Sequence, residues 1–154
     1  MGTKRVGWAR IKSLINENQN QLKIRNLESM AVSKAITLTG ADSGKIIYAT
    51  TKTSAAYAIT LPRVSNGLNF RIVLATTGND GSADVTIAVG HADDDFNGNL
   101  WGLSAVDPAT DSDTNIVFGQ SGGAVKGDWV DLHSDGTDWW VRGQGTANGA
   151  VVFG

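Results

Sequence analysis

The stretch GDWVDLHSDGTDWWVRG, residues 127–143, holds two runs of alternating apolar and polar residues divided by Ser134-Asp135-Gly136. Alternation with period two sends successive side chains to opposite faces of a strand, and a turn cluster between two such runs predicts a β-hairpin. Trp139 and Trp140 are adjacent in the second run. One indole must therefore enter a core while the other stands on the outer face, beside Arg142. In the first run His133 shares a face with Trp129 and Asp131.

The same pattern extends outward from this hairpin. LNFRIVLA (68–75) sets Leu68, Phe70, Ile72 and Leu74 against Asn69, Arg71 and Val73. YAITLP (57–62) aligns Tyr57, Ile59 and Leu61 before Pro62 ends the strand. VTIAVG (85–90) aligns Val85, Ile87 and Val89, after a turn-rich link, 76–84, that contains Asn79-Asp80-Gly81. AITLT (35–39) and KIIYATT (45–51) flank the turn GADSG, and NLWGLS (99–104), NIVFG (115–119) and AVVF (150–153) supply the remaining strands. Nine or ten short strands between Gly/Asp turns predict an all-β body. The expected form is an antiparallel β-sandwich or jelly roll. No repeat is visible, which argues against a solenoid or propeller.

Composition divides the 154 residues in two. Residues 1–30 carry six basic and two acidic residues, a net of +4, whereas 31–154 carry seven basic and thirteen acidic ones, a net of -6. All thirteen are aspartates, which favour turns and caps, and no glutamate follows Glu28. The expected division is a basic N-terminal α-helical arm with its linker, 1–30, and a sandwich body, 31–154. In the arm Trp8, Ile11, Ile15 and Leu22 fall on one helical stripe with Asn18 in its seam, predicting a short helix over 3–22. A helix of this composition is marginal alone and needs a partner surface. Its own body, sister chains and another protein all remain open on these residues, as does nucleic acid by charge alone, although no nucleic-acid motif is present.

Other chemistry is thinly represented. The chain has no cysteine, which excludes disulfides and thiolate sites. Its apolar runs are far below the ~18 residues that would cross a bilayer, and its start lacks the apolar segment of a secretory signal. Asp93, Asp95 and Asn97, followed by Gly98, match the first half of a calcium loop, but Ser104 stands where the bidentate Glu belongs. Asp111, Asp113 and Asn115 repeat the spacing without the glycine. A plain solvated loop is the competing reading of both. His91 and His133 are the only histidines, and SGGAVKGD (121–128) lacks phosphate-loop spacing. No nucleophile motif appears, so no enzymatic activity and no cofactor are expected. The outward Trp of the 139–140 pair has three uses: cover by a loop, burial at a subunit interface, or stacking on sugar.

Two segments resemble the β domains of tailed-bacteriophage virion proteins. The first is Thr60-Leu61-Pro62 with Gly67 and Phe70; the second is Val130, Leu132, Ser134-Asp135-Gly136 and Trp139. The N-terminal MGTKRVGWARIKSLI is similar to the start of small structural proteins from marine cyanophages. The resemblance implies a homotrimeric virion-surface protein without catalytic residues. The absence of a repeat shaft favours a compact capsid decoration (cement) protein that binds across capsomer junctions. A receptor- or carbohydrate-binding head domain of a tail or head fibre is the alternative. On the first reading the partners are sister copies and the major capsid protein, with no membrane and no specific nucleic acid. Lys4, Arg5, Trp8, Arg10, Ile11 and Ile15 would form the capsid-docking arm, and Tyr57, Trp140 and Arg142 the trimer interface. The alternative would use Trp101 or Trp140 against sugar rings.

Overall fold

The computed structural model describes residue 11 and residues 28–51, 55–76, 83–110 and 112–154. Within these the chain forms twelve strands: β1 (Ser29–Val32), β2 (Ile36–Thr37), β3 (Ile46–Ala49), β4 (Tyr57–Thr60), β5 (Asn69–Leu74), β6 (Val85–Ala88), β7 (Phe96–Trp101), β8 (Val106–Pro108), β9 (Asn115–Phe118), β10 (Trp129–Ser134), β11 (Trp139–Gln144) and β12 (Val151–Phe153). They make a seven-stranded sheet, ordered β1-β3-β5-β10-β11-β7-β8, and a five-stranded sheet, ordered β12-β9-β6-β4-β2. One apolar core joins the inward faces of both. Ile47, Phe70, Ile72, Leu132 and Trp139 come from the larger sheet, and Ile59, Ile87, Ile116 and Phe118 from the smaller. The all-β, sandwich-like body is therefore as expected. Strand β1 starts before the anticipated body boundary at residue 31.

The antiparallel expectation, and the jelly roll with it, is corrected: both sheets are mixed. Pairs β1–β3, β3–β5 and β7–β11 in the large sheet are parallel, as are β2–β4 and β4–β6 in the small one. The cause is the path of the chain. From β1 to β6 it changes sheet at every step, so each strand meets the next-but-one strand running in its own direction. Parallel pairing needs a crossover, and here a strand of the opposite sheet supplies it instead of a helix. The winding is coil-like although no sequence repeat announces it, because its turns differ in length: Ser29 pairs with Ile46, but Ile46 with Arg71. Antiparallel order returns with β6–β9 and β7–β8 and continues in the hairpin β10–β11, where Leu132 faces Val141 and Ser134 faces Trp139.

Gly98 shows how closely the two halves approach. It lies in β7 opposite Val141 with φ +143°, and a Cβ there would stand 2.0 Å from the Val141 carbonyl oxygen. A side chain would force the strands apart, so this position requires glycine. The Asn97-Gly98 pair that mimics a calcium loop is thus strand backbone, with the Gly98 carbonyl accepting from Ala109 N–H at 2.9 Å.

Candidate functional site

The seven-stranded sheet turns one face to the core and one outward. Cross-strand register builds that outer face in rows, since paired residues share a face. One row crosses every strand: Ala31, Tyr48, Val73, Trp129, Gln144, Trp101 and Val106. The next row runs Ile46, Arg71, Asp131, Arg142, Asn99. A shorter third row holds Asn69, His133, Trp140 and Asn97. Tyr48, Trp101, Val106 and Trp140 on this face are exposed large apolar residues, and Leu103, 80% exposed, lies in the loop between β7 and β8.

Two arginines of the middle row behave differently. Arg71 makes a two-pronged ion pair with Asp131 and lies 4.9 Å from the centre of the Trp129 ring. The Asp131 carboxylate raises the pKa of the Arg71 guanidinium still further. Arg142 leans over Trp101 at 5.5 Å and forms no ion pair among the described residues. Trp101, Trp129, Arg142 and Gln144, with Gly102 and Gly143, line a depression of about 330 Å³. A second depression of about 350 Å³ lies among Lys45, Asn69, Arg71, Asp131 and His133.

Trp139 and Trp140 divide as the alternation requires. Trp139 is fully buried and packs against Phe70, whereas Trp140 is 43% exposed. The Trp140 indole Nε1–H donates to the Asp135 carboxylate at 2.7 Å, and the other Asp135 oxygen accepts from the Thr137 and Asp138 backbones. The Trp140 bond, and then those backbone bonds, hold the Asp135 carboxyl down at about 2 against an ordinary value of 3.8. A depressed folded-state pKa contributes stability that is complete above 3.8 and lost as pH falls through about 2. The Trp140 indole N–H resonance is therefore expected to hold steady through mild acid and to move with a midpoint near pH 2 in a titration followed by NMR. In Asp135→Asn that midpoint disappears.

The other anticipated residues are dispersed. Tyr57 lies on β4 of the small sheet, away from Trp140 and Arg142. Its hydroxyl donates to the carbonyls of Val32 at 3.0 Å and Thr50 at 3.1 Å, and burial pushes its pKa up to about 12. Lys4, Arg5, Trp8, Arg10 and Ile15 fall outside the described residues, as do the turn Asn79-Asp80-Gly81 and Asp111. Ile11 alone of the arm is described, in helical conformation and 37% exposed.

The calcium candidates are not gathered into a site. Asp93 is exposed beside His91, Asp95 gives its backbone carbonyl to Trp139 N–H, and Asn97 sits in the row of Trp140. The buried member of the triplet is Asp94, which accepts from Val64 N–H at 3.0 Å. The described residues contain no group of three or more His, Asp or Glu able to hold a metal ion, and no helix among them is long and apolar enough to cross a membrane.

Sequence reading identified Trp140 and Arg142 as outward neighbours but missed that Trp129 and Trp101 flank Gln144. Their outward positions were readable from the alternation. Their adjacency depends on the parallel β7–β11 pair, which no local signal announces. No family model, no curated protein and no solved structure matches the chain.

Proposed function

We propose that this chain is a virion structural protein of a tailed bacteriophage, a homotrimeric capsid decoration protein that cements capsomer junctions. The observation that supports it is apolar surface on the outside of both sheets. The large sheet carries Tyr48, Trp101, Val106 and Trp140 outward, and on the small sheet Val152, Val117, Thr86 and Ala58 form a flat half-buried row. Sister copies cover part of this surface, with contacts centred on Trp140 and with Arg142 at their solvent-open rim. The basic arm docks on the major capsid protein, Trp8, Ile11 and Ile15 seating as apolar anchors while Lys4, Arg5 and Arg10 meet acidic groups.

Cementing then follows from area. A specific interface buries about 1,200–2,000 Å², and a trimer engages its sites together, so shell expansion must break several contacts at once. Among the described residues the body core is assembled from side chains between Val32 and Val151, and it is expected to stay folded when the arm is removed. Deleting residues 1–22 is expected to abolish binding to decoration-free heads while the circular dichroism of the body persists. Quantitative mass spectrometry of particles is expected to give hundreds of copies. Binding that survives the deletion contradicts arm docking, and a handful of copies contradicts decoration.

The depression between Trp101 and Trp129 supports a second reading, a receptor- or carbohydrate-binding head domain. Its indoles offer apolar surface where Arg71 and Arg142 do not cover them, and Gln144 and Arg142 offer exposed donors.

A further inference from the structure

We infer that the depression bounded by Trp101, Trp129, Arg142 and Gln144 binds an acidic pyranose, a uronic or sialic acid residue of a glycan. The inference rests on the carbohydrate reading above and names its ligand class. It is compatible with either position on a virion.

Geometry carries the saccharide part. Trp129, Gln144 and Trp101 are direct cross-strand neighbours on β10, β11 and β7. Adjacent strands are about 4.8 Å apart, so the two indoles rise from backbones about 9–10 Å apart. The Gln144 side chain stands between them, so a sugar ring lies over Gln144 with an indole at its side. The volume, about 330 Å³, lies at the lower end of ligand sites. Gly143 backs the depression from the core side, where a Cβ would stand 2.6 Å from the Leu100 side chain and 2.9 Å from the Trp129 carbonyl oxygen.

Charge carries the acidic part. The body has a net charge of -6, and of the two arginines on this face only one is held by a carboxylate. Arg71 is committed to Asp131. Arg142, its guanidinium over the Trp101 ring, lines the depression and forms no ion pair among the described residues. A guanidinium fork binds a carboxylate through two parallel N–H donors, and a neutral sugar offers no such acceptor. The C–H face of the ring lies on an indole, the carboxylate meets Arg142, and hydroxyls reach the Gln144 amide.

The test uses the full chain, with trigalacturonate, a glucuronate disaccharide and sialyllactose as probes, the methyl ester of each as its neutral counterpart, and titration calorimetry as the readout. At least one acid is expected to bind, with its ester about tenfold weaker or more, the loss expected of a charged hydrogen bond. Arg142→Gln is expected to equalise acid and ester, and Trp101→Ala to weaken both. Circular dichroism melts check that both variants are folded. Equal binding of acid and ester by the native chain overturns the acidic class and leaves the carbohydrate reading standing. No binding of any probe at millimolar concentration overturns both.

Discussion

Trp139→Ala is expected to lower the stability of the body by about 3–5 kcal/mol, the range for deleting a buried aromatic ring. Against a typical total of about 5–15 kcal/mol this takes the fold close to its limit. Trp139 is fully buried at the head of β11, with its ring 5.8 Å from Phe70. Alanine there leaves a cavity in the core between the two sheets, beside Phe70. Trp139→Phe is expected to cost far less. The phenyl ring fills most of the space, and the substitution removes an indole N–H that is buried without a hydrogen-bond partner, a defect costing about 1–3 kcal/mol. The neighbouring Trp140→Ala is expected to leave the melting curve of the body nearly unchanged and to weaken self-association instead. Urea denaturation of the three variants separates these outcomes, and equal losses for Trp139→Ala and Trp139→Phe contradict the packing argument.

Asp128→Ala is expected to be comparably severe for a different reason. The Asp128 carboxylate is buried, 2% exposed, and accepts from Val125 N–H, Thr146 N–H and the Thr146 hydroxyl at 2.9, 2.9 and 2.7 Å. It ties the turn before β10 to the loop after β11. Alanine takes the acceptor from two part-buried backbone donors, on half-buried Val125 and on Thr146, at about 1–3 kcal/mol each where water does not replace it. The expected total is about 3–5 kcal/mol, a fall of roughly 10 °C in Tm for a chain of this size. Asp128→Asn does not rescue it. The amide NH2 would point at a backbone N–H where the carboxylate now offers an oxygen. Calorimetry that finds Asp128→Asn as stable as the parent contradicts this account of the carboxylate.

These two residues also show what the sequence made legible. Trp139 was readable as a core residue because alternation over 127–143 fixes which side chains share a face. The same alternation says nothing of strand direction, and so the parallel pairs were missed. Strands β1 and β8 were missed too. Ser29–Val32 is too mixed to show a period, and Val106–Pro108 contains a proline, which a strand accepts at an edge such as the one β8 occupies. Asp128 was read only as part of a glycine-rich segment. Its role appears when Val125 and Thr146 are brought to either side of it, a long-range consequence of the sandwich. The Asp93–Asn97 spacing misled in the opposite direction: Asp94 is a buried acceptor and Gly98 a close-approach glycine, so both have structural roles that imitate half a metal loop.

The central claim is that the outer surfaces of this sandwich are partly covered by sister copies. Sedimentation equilibrium of the full chain at micromolar concentration tests it most directly. The account predicts a single species of three chain masses, shifted towards smaller species by Trp140→Ala. A monomer that persists to high micromolar concentration contradicts it.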